Sequence, residues 1–418
     1  MHFLYNLSVF FYSLAIHIAS AFNSKAKLWV SGRKNIFEEL KSKIQNSELR
    51  TPNSQLIWFH CASLGEFEQG RPLMEKIKLQ HPDLKILLTF FSPSGYEIRK
   101  NYAGADFIFY LPIDSPGNAK KFVELVNPKF VFFVKYEFWF NYLNEIKKKN
   151  IPLYLVSGIF REDQHFFRSY GGWFKKQLSC FTTFFLQDEA SFELLQSNGF
   201  KNILLAGDTR FDRVFEISKN VKQISLIEQF KQGEPVFIAG SSWTEDEKII
   251  AGLKLENYKL IIVPHEIDEK HLSSIEALFI PLCKRKEECV RYSAANETNV
   301  KQAKILIIDN IGMLSSIYQY GTIAYIGGGF GKGIHNILEA ATFGLPVIFG
   351  PNYQKFSEAK ELIHLGGAFS IKDASEYKKT IELLEDKAVL QTASHIAKHY
   401  VNSRIGASDK ILSSITIK

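Results

Sequence analysis

Two stretches of this chain place chemically active residue types at the end of a strand. In "QLIWFHCASLGEFEQGRPLMEKIK", residues 55 to 78, an apolar strand-like run passes through small residues into a helix-like run, with Glu66 at the turn. Such a turn in a parallel sheet lies at the carboxyl edge, where α/β proteins bind ligands. A carboxylate there can act as a base, cap the helix or merely meet solvent. Ala62, Ser63 and Gly65 leave room for a ligand beside it. In "TIAYIGGGFGKGIHNILEAATFGLPVIFGP", residues 322 to 351, a strand ends in Gly327, Gly328 and Gly329, a loop with Gly331 and Gly333 follows, and a helix is expected from near His335 and Asn336 to about 342. Glycines permit positive φ and close backbone approach, and a helix amino end offers free N–H groups to an anion. A phosphate-bearing ligand is the expected guest. Glu339, one turn into that helix, is placed to accept both hydroxyls of a ribose, the alternative being an exposed acid on a helix face. The pattern is not G-x-x-x-x-G-K-[ST], which disfavours a P-loop nucleotidase.

The elements that must position these residues follow from the apolar runs. "LIWFHCA", "KILLTFF", "DFIFYLP", "KFVFFVK", "PLYLVSG", "TFFLQDE" and "NILLAGD" alternate with polar helix-like segments, and "PVFIAGSS", "YKLIIVPHE", "ECVRYSA", "KILIIDN", "TIAYIGGG" and "LPVIFGP" repeat the grammar. Continuous apolar runs of this kind predict parallel strands buried on both faces. At 418 residues the chain is too long for one ordinary core, so two doubly wound α/β domains are expected. The lysine-bearing stretch 216 to 235 is the expected junction. Both halves open with a strand, small residues and an acidic helix start, and Thr244 with Glu247 reads as a capping box.

Residues 1 to 22, "MHFLYNLSVFFYSLAIHIASAF", are apolar and aromatic, and the basic run "NSKAKLWVSGRK" follows them. That length is near the ~20 residues that span a bilayer. A secretory signal would carry its positive charge before the apolar run. Charge placed after it puts the rest of the chain on the cytoplasmic side. A membrane anchor, spanning or interfacial, is the reading adopted, against a buried helix of the first domain. Lys plus Arg exceed Asp plus Glu by 51 to 44, a net +7, which suits an anionic surface or substrate. Cys61, Cys180, Cys283 and Cys289 lack C-x-x-C spacing, so a disulfide framework or zinc site is not expected.

"CASLGE", "KYEFWFN", "GDTRFD", "PHE" and "GGGFGKGIHNILEAATFGLPVIFGPNYQKFSEA" together resemble the 3-deoxy-D-manno-oct-2-ulosonic acid (Kdo) transferases of lipid A assembly, across nearly the whole chain. The resemblance implies GT-B architecture: two Rossmann-like domains facing a cleft, with residues 1–22 as membrane-associated helix, 23–220 binding acceptor and 221–418 binding donor. It implies inverting transfer of Kdo from CMP-Kdo to a lipid A precursor, lipid IVA, at the cytoplasmic face of the inner membrane, with no metal or other cofactor and no nucleic-acid partner. By position it makes Glu66 the general base, Glu137 a stabiliser of the transition state, and Arg210 the counterpart of a family Lys. Pro264, His265, Ile311, Gly312, Met313, Asn336, Ile337, Leu338 and Glu339 fall on CMP-contacting segments. Arg210 for Lys, Phe140 for a Pro and Met313 for a Glu depart from the family pattern. A Glu base near its reference pKa of ~4.3 would be ionised at neutral pH. Lys25, Lys27, Arg33 and Lys34 are expected to meet anionic headgroups, and the aromatic stretch 160 to 176 suits either an interfacial surface or packing within the first domain. Another GT-B transferase or epimerase, or a non-catalytic nucleotide-sugar binding protein, is the alternative.

Overall fold

The computed structural model describes residues 1–45, 55–253 and 256–415. The chain forms two compact units, Met1–Arg213 with Ile405–Lys418, and Val214–Arg404. The first unit holds β1 (Leu56–Cys61), β2 (Lys85–Phe90), β3 (Phe107–Tyr110), β4 (Phe130–Val134), β5 (Leu153–Gly158), β6 (Thr183–Leu186) and β7 (Ile203–Leu205), in the order β3-β2-β1-β4-β5-β6-β7. The second holds β8 (Val236–Ser242), β9 (Lys259–Pro264), β10 (Cys289–Arg291), β11 (Ile305–Ile307), β12 (Ile323–Ile326), β13 (Val347–Phe349) and β14 (Ala368–Ser370), in the order β10-β11-β9-β8-β12-β13-β14. Every strand pairing is parallel. The strand carboxyl ends of each sheet therefore share one edge. Strand order reverses between β1 and β4 in one unit and between β8 and β12 in the other, and these are the crevices where doubly wound sheets bind ligands.

All the expected apolar runs form strands, because helices cover both sheet faces and β1, β4, β5 and β9 are buried throughout. Burying one side chain such as Phe59 or Phe132 contributes ~1.5–3 kcal/mol. Only β14 was not anticipated: three residues with one large apolar side chain are too short for a pattern.

The domain limits differ from those expected. The first unit ends inside the helix Thr209–Lys219, not at residue 220 or within 216 to 235, and the chain returns to it at Ile405. The returning helix Ala407–Ser413 packs Ile411 into the same core as Phe67, Leu73 and Ile77. Asp212 accepts the backbone N–H groups of Gly406 (2.5 Å) and Ser408 (2.7 Å), which fixes the return.

The amino-terminal helices are α1 (His2–Ala19), α2 (Ser24–Ser31) and α3 (Ile36–Gln45), and the helix after β1 is α4 (Leu64–Gln80). One face of α1 docks on the first unit. Tyr5 donates to Asp114 (2.5 Å), His2 and Asn6 bond the Asn141 side chain (3.0 and 2.9 Å), and Tyr12 stacks on Phe91. Asp114 also accepts the N–H groups of Asn141 and Tyr142, both at 3.1 Å, capping the helix Phe140–Lys148. Phe140, in place of the family's Pro, packs its ring on Tyr5 (4.8 Å) and Trp173 (5.0 Å). The opposite face of α1 exposes Phe3, Leu4, Leu7, Phe10, Phe11 and Ile18.

Arg33 departs from its expected surface role. Its guanidinium is buried over the Trp29 ring at 3.9 Å and donates to the carbonyls of Leu111, Trp29 and Phe91 at 2.9, 3.0 and 2.7 Å. Burial pulls its pKa down to about 9. It fastens the end of α2 to the first unit. In the stretch 160 to 176, Phe160 and Phe166 are core residues, so packing within the unit accounts for them.

Candidate active site

At the reversal point of the first unit, β1 and β4 each deliver a carboxylate. Ser63 is the N-cap of α4 and Glu66 its third residue, so the side chain curls back and its Oε2 accepts the N–H of Ala62. The cap and base readings are thus not exclusive. One oxygen braces the turn while the group borders the crevice. The Glu66 carboxyl is not near its ordinary value: burial first, then the charge of Glu137, raise its pKa to about 8, against the pull of the Ala62 N–H and of Lys135. Low exposure makes the ionised form costly.

Glu137 follows β4 by three residues and is 7% exposed. Lys135, between them, takes φ +68°. A side chain with a Cβ is strained in that region, and such strain gathers at functional sites. Glu137 Oε2 lies 2.8 Å from His60 Nε2 and accepts the Trp139 indole N–H. His60, Thr89 and Trp58 continue this chain of bonds into the sheet. A histidine and a threonine inside runs otherwise apolar, "LIWFHC" and "KILLTF", were the available signal for it.

Arg210 lies in the first unit near α4, because Thr209 donates its hydroxyl to the Gln69 carbonyl (2.6 Å), one turn beyond Glu66. Its guanidinium is paired with buried Asp208 at 2.7–2.8 Å, and Asp208 also accepts the Arg210 N–H at 2.9 Å. That clamp holds the planar fork in a way a Lys would not reproduce.

At the reversal point of the second unit the furnishing is aromatic. Trp243 after β8, His265 after β9 and His335 after the glycine loop stack, with ring centroids 4.7 and 4.4 Å apart. The Trp243 indole donates to His335 Nε2 at 3.2 Å. Burial and the neighbouring His265 lower the His335 pKa to about 4, so its ring accepts that bond uncharged. Pro264 ends β9, and Ile311, Gly312 (φ +91°) and Met313 follow β11 on the same sheet edge.

The glycine loop is tighter than expected. A Cβ on Gly327 would sit 2.2 Å from the Ser241 carbonyl, and Gly328 has φ +89°. The N–H groups of Gly327, Gly331 and Gly333 bond within the fold, and that of Gly328 bonds Asp246 (2.9 Å). Asp246 also accepts from the Trp243 N–H (3.0 Å) and the Tyr325 hydroxyl (2.8 Å). The expected capping box therefore shifts. Trp243 is the N-cap and Asp246 its partner, while Glu247 is buried against Ser242 (2.9 Å) and His271 (3.0 Å).

The helix expected from 335 to 342 is a single turn, Leu338–Ala341, ended by Gly344 at φ +81° and Pro346. One turn contributes little dipole. Ile337 and Leu338 are core residues and offer a ligand only backbone. Asn336 Oδ1 accepts the Leu338 N–H and its amide donates to Glu339, both at 3.1 Å. Asn336 and Glu339 thus stand together at the loop. Among the described residues no three His, Cys, Asp or Glu side chains gather as a metal set.

Comparison with known proteins matches residues 34–213 to the family described as 3-deoxy-D-manno-octulosonic-acid transferase (kdotransferase). A 3-deoxy-D-manno-octulosonic acid transferase of Aquifex aeolicus is 30% identical over 84% of this chain and 92% of its own length. A bifunctional glycosyltransferase/methyltransferase of Fusobacterium nucleatum is 29% identical over 80% of this chain, which spans 53% of that longer protein. The fold is that of GT-B proteins: Acinetobacter baumannii MurG superposes with a TM-score of 0.54 at 12% identity, covering 86% of this chain and 98% of that one. A crevice built on "S-L-G-E" and "E-F-W", within a sequence that follows a Kdo transferase almost end to end, places this chain in the 3-deoxy-D-manno-octulosonic acid transferase family.

Proposed function

We propose that the protein transfers Kdo from CMP-Kdo to a hydroxyl of a lipid A precursor, lipid IVA, with inversion at the anomeric carbon, as a step of lipopolysaccharide synthesis. The observation that carries this reading is Glu66, a half-buried carboxylate with a raised pKa at the reversal point of the first unit, in a chain of this family. The acceptor oxygen bonds the anomeric carbon, the bond from that carbon to the phosphate breaks, and its electron pair leaves with CMP. The hydroxyl proton passes to Glu66. A base poised near working pH is well matched to that transfer. Glu137 acts on the transition state, and Arg210 supplies positive charge near α4. Glu339 accepts the ribose hydroxyls, Asn336 holds it in place, and the Trp243, His265 and His335 rings wall the nucleotide side. No metal is assigned a step.

The acceptor is a lipid, and α1 accounts for access to it. With its polar side chains committed to Asp114 and Asn141 and its apolar face outward, α1 lies in the bilayer interface at the cytoplasmic face of the inner membrane instead of crossing it. The deciding measurement is CMP release from CMP-Kdo with lipid IVA as acceptor. Product carrying Kdo supports the proposal, and CMP binding without release overturns it. Replacing Phe10 and Phe11 by Ser should lower co-sedimentation with anionic vesicles while leaving CMP binding unchanged.

A further inference from the structure

His60 is fully buried, yet it touches the one carboxylate that follows β4 into the crevice. The bonds around it assign its protons. The Trp58 indole donates to Thr89 Oγ1 at 2.8 Å, and that hydroxyl lies 3.3 Å from the Phe59 carbonyl, to which it donates. His60 Nδ1 sits 2.8 Å from Thr89 Oγ1 and 3.2 Å from the Thr89 carbonyl. A carbonyl can only accept, so Nδ1 carries a proton. On the other side, Nε2 lies 2.8 Å from Glu137 Oε2, and the Trp139 indole, a donor only, reaches both atoms. An imidazole nitrogen without hydrogen and an ionised carboxylate are both acceptors. At that separation they need a proton between them.

We propose that His60 is a positioning residue of the transfer reaction: it shares one proton with Glu137, making the two a pair of no net charge, so that Glu66 can ionise beside Glu137 and receive the proton of the acceptor hydroxyl. The proposal rests on the reading of Glu66 as the base. The pair keeps its own proton through the cycle, and no bond to substrate involves His60. The other titratable groups that feel the charge of Glu137 are Cys61 at the end of β1, Glu66 of α4 and Tyr5 of α1, with Glu68 acting on Cys61, Lys135 on Glu66 and Asp114 on Tyr5. Glu66 already titrates high because of burial and Glu137. The shared proton removes the part of that rise that a charge on Glu137 causes, since like charges in one site raise each other's pKa.

The test combines a spectrum with a pH profile. In the full chain labelled with ¹⁵N-histidine, the His60 Nδ1 resonance should be of protonated type at pH 7, and should remain so in Glu66→Gln. An unprotonated Nδ1 overturns the proposal without any reference to activity. In His60→Gln, the acid limb of kcat/KM with CMP-Kdo and lipid IVA should move up by about one pH unit or more, and the added substitution Glu137→Gln should bring it back. A limb that stays put while only the melting temperature falls would make His60 structural. If His60→Gln does not fold, the ¹⁵N measurement on the parent decides alone. Full transfer by Glu66→Gln would instead remove the base assignment and leave the proton count on His60 and Glu137 standing.

Discussion

The two reversal points share one topology and differ in what they hold. Between β1 and β4 stand acids, Glu66 and Glu137, with a histidine and two indoles wired to them. Between β8 and β12 stand stacked rings and a glycine loop, and the acids Asp246 and Glu247 lie buried behind it, bonded to backbone, hydroxyl and imidazole. Each place holds one group whose charged form burial disfavours. Burial lifts Glu66 toward its neutral form and lowers His335 toward its neutral form. The difference lies in direction. In the proposed reaction Glu66 must lose its proton, whereas a neutral His335 serves as it is. In that reaction one crevice moves a proton and the other holds a flat, anionic guest.

The hardest blow to that contrast is Glu66→Gln. The amide keeps the brace to Ala62 but takes no proton, so transfer should fall at least about a hundredfold while CMP still binds. Near-parent turnover would make Glu66 a brace alone, with Glu137 the next candidate base. The pH profile should sharpen the contrast. Because Glu66 must be ionised, kcat/KM should climb about tenfold per pH unit below its pKa and level off near pH 8.

In the second unit, Glu339→Ala should raise the donor KM by about tenfold or more, since charge-assisted bonds to ribose hydroxyls contribute roughly 1.5–3 kcal/mol each. An unchanged KM would make Glu339 only the partner of Asn336. The smallest effect is on stability. A carboxyl that titrates near 8 when folded and near 4.5 when unfolded holds its proton longer in the native state, so its stabilising contribution is full below 4.5 and is lost as pH rises through 8. Glu66→Gln should therefore melt higher than the parent at pH 9 and alike at pH 4.

What the sequence disclosed follows from how local each signal is. Thirteen strands and Glu66 at its turn were legible, because apolar runs and small residues before a helix are contiguous patterns. The glycine cluster was legible as a site of close approach, but its N–H groups were spoken for by Gly240, Gly328 and Asp246, partners that only folding brings near. Thr244 with Glu247 fits the capping-box spacing, yet spacing alone does not reveal that Asp246 bends back to Trp243. Arg33 reads as surface charge until the carbonyls of Trp29, Phe91 and Leu111 are seen around it. His60 was visible as a polar letter in an apolar word, yet its meaning needed Glu137, far along the chain.

The return of the chain to the first unit has a consequence for biogenesis. The residues from Ile405 onward are synthesised after the whole of the second unit, yet Ile411 closes the core behind α4, and Asp212 waits for Gly406 and Ser408. A ribosome that has finished the first 213 residues has therefore not made a finished unit. The helix that carries Glu66 keeps an apolar flank uncovered until the segment from Ile405 has been made. Nascent chains that stall before Ile405 should then be the ones that quality control recognises and degrades, so that an intact acidic crevice is found only on chains that already carry the second unit.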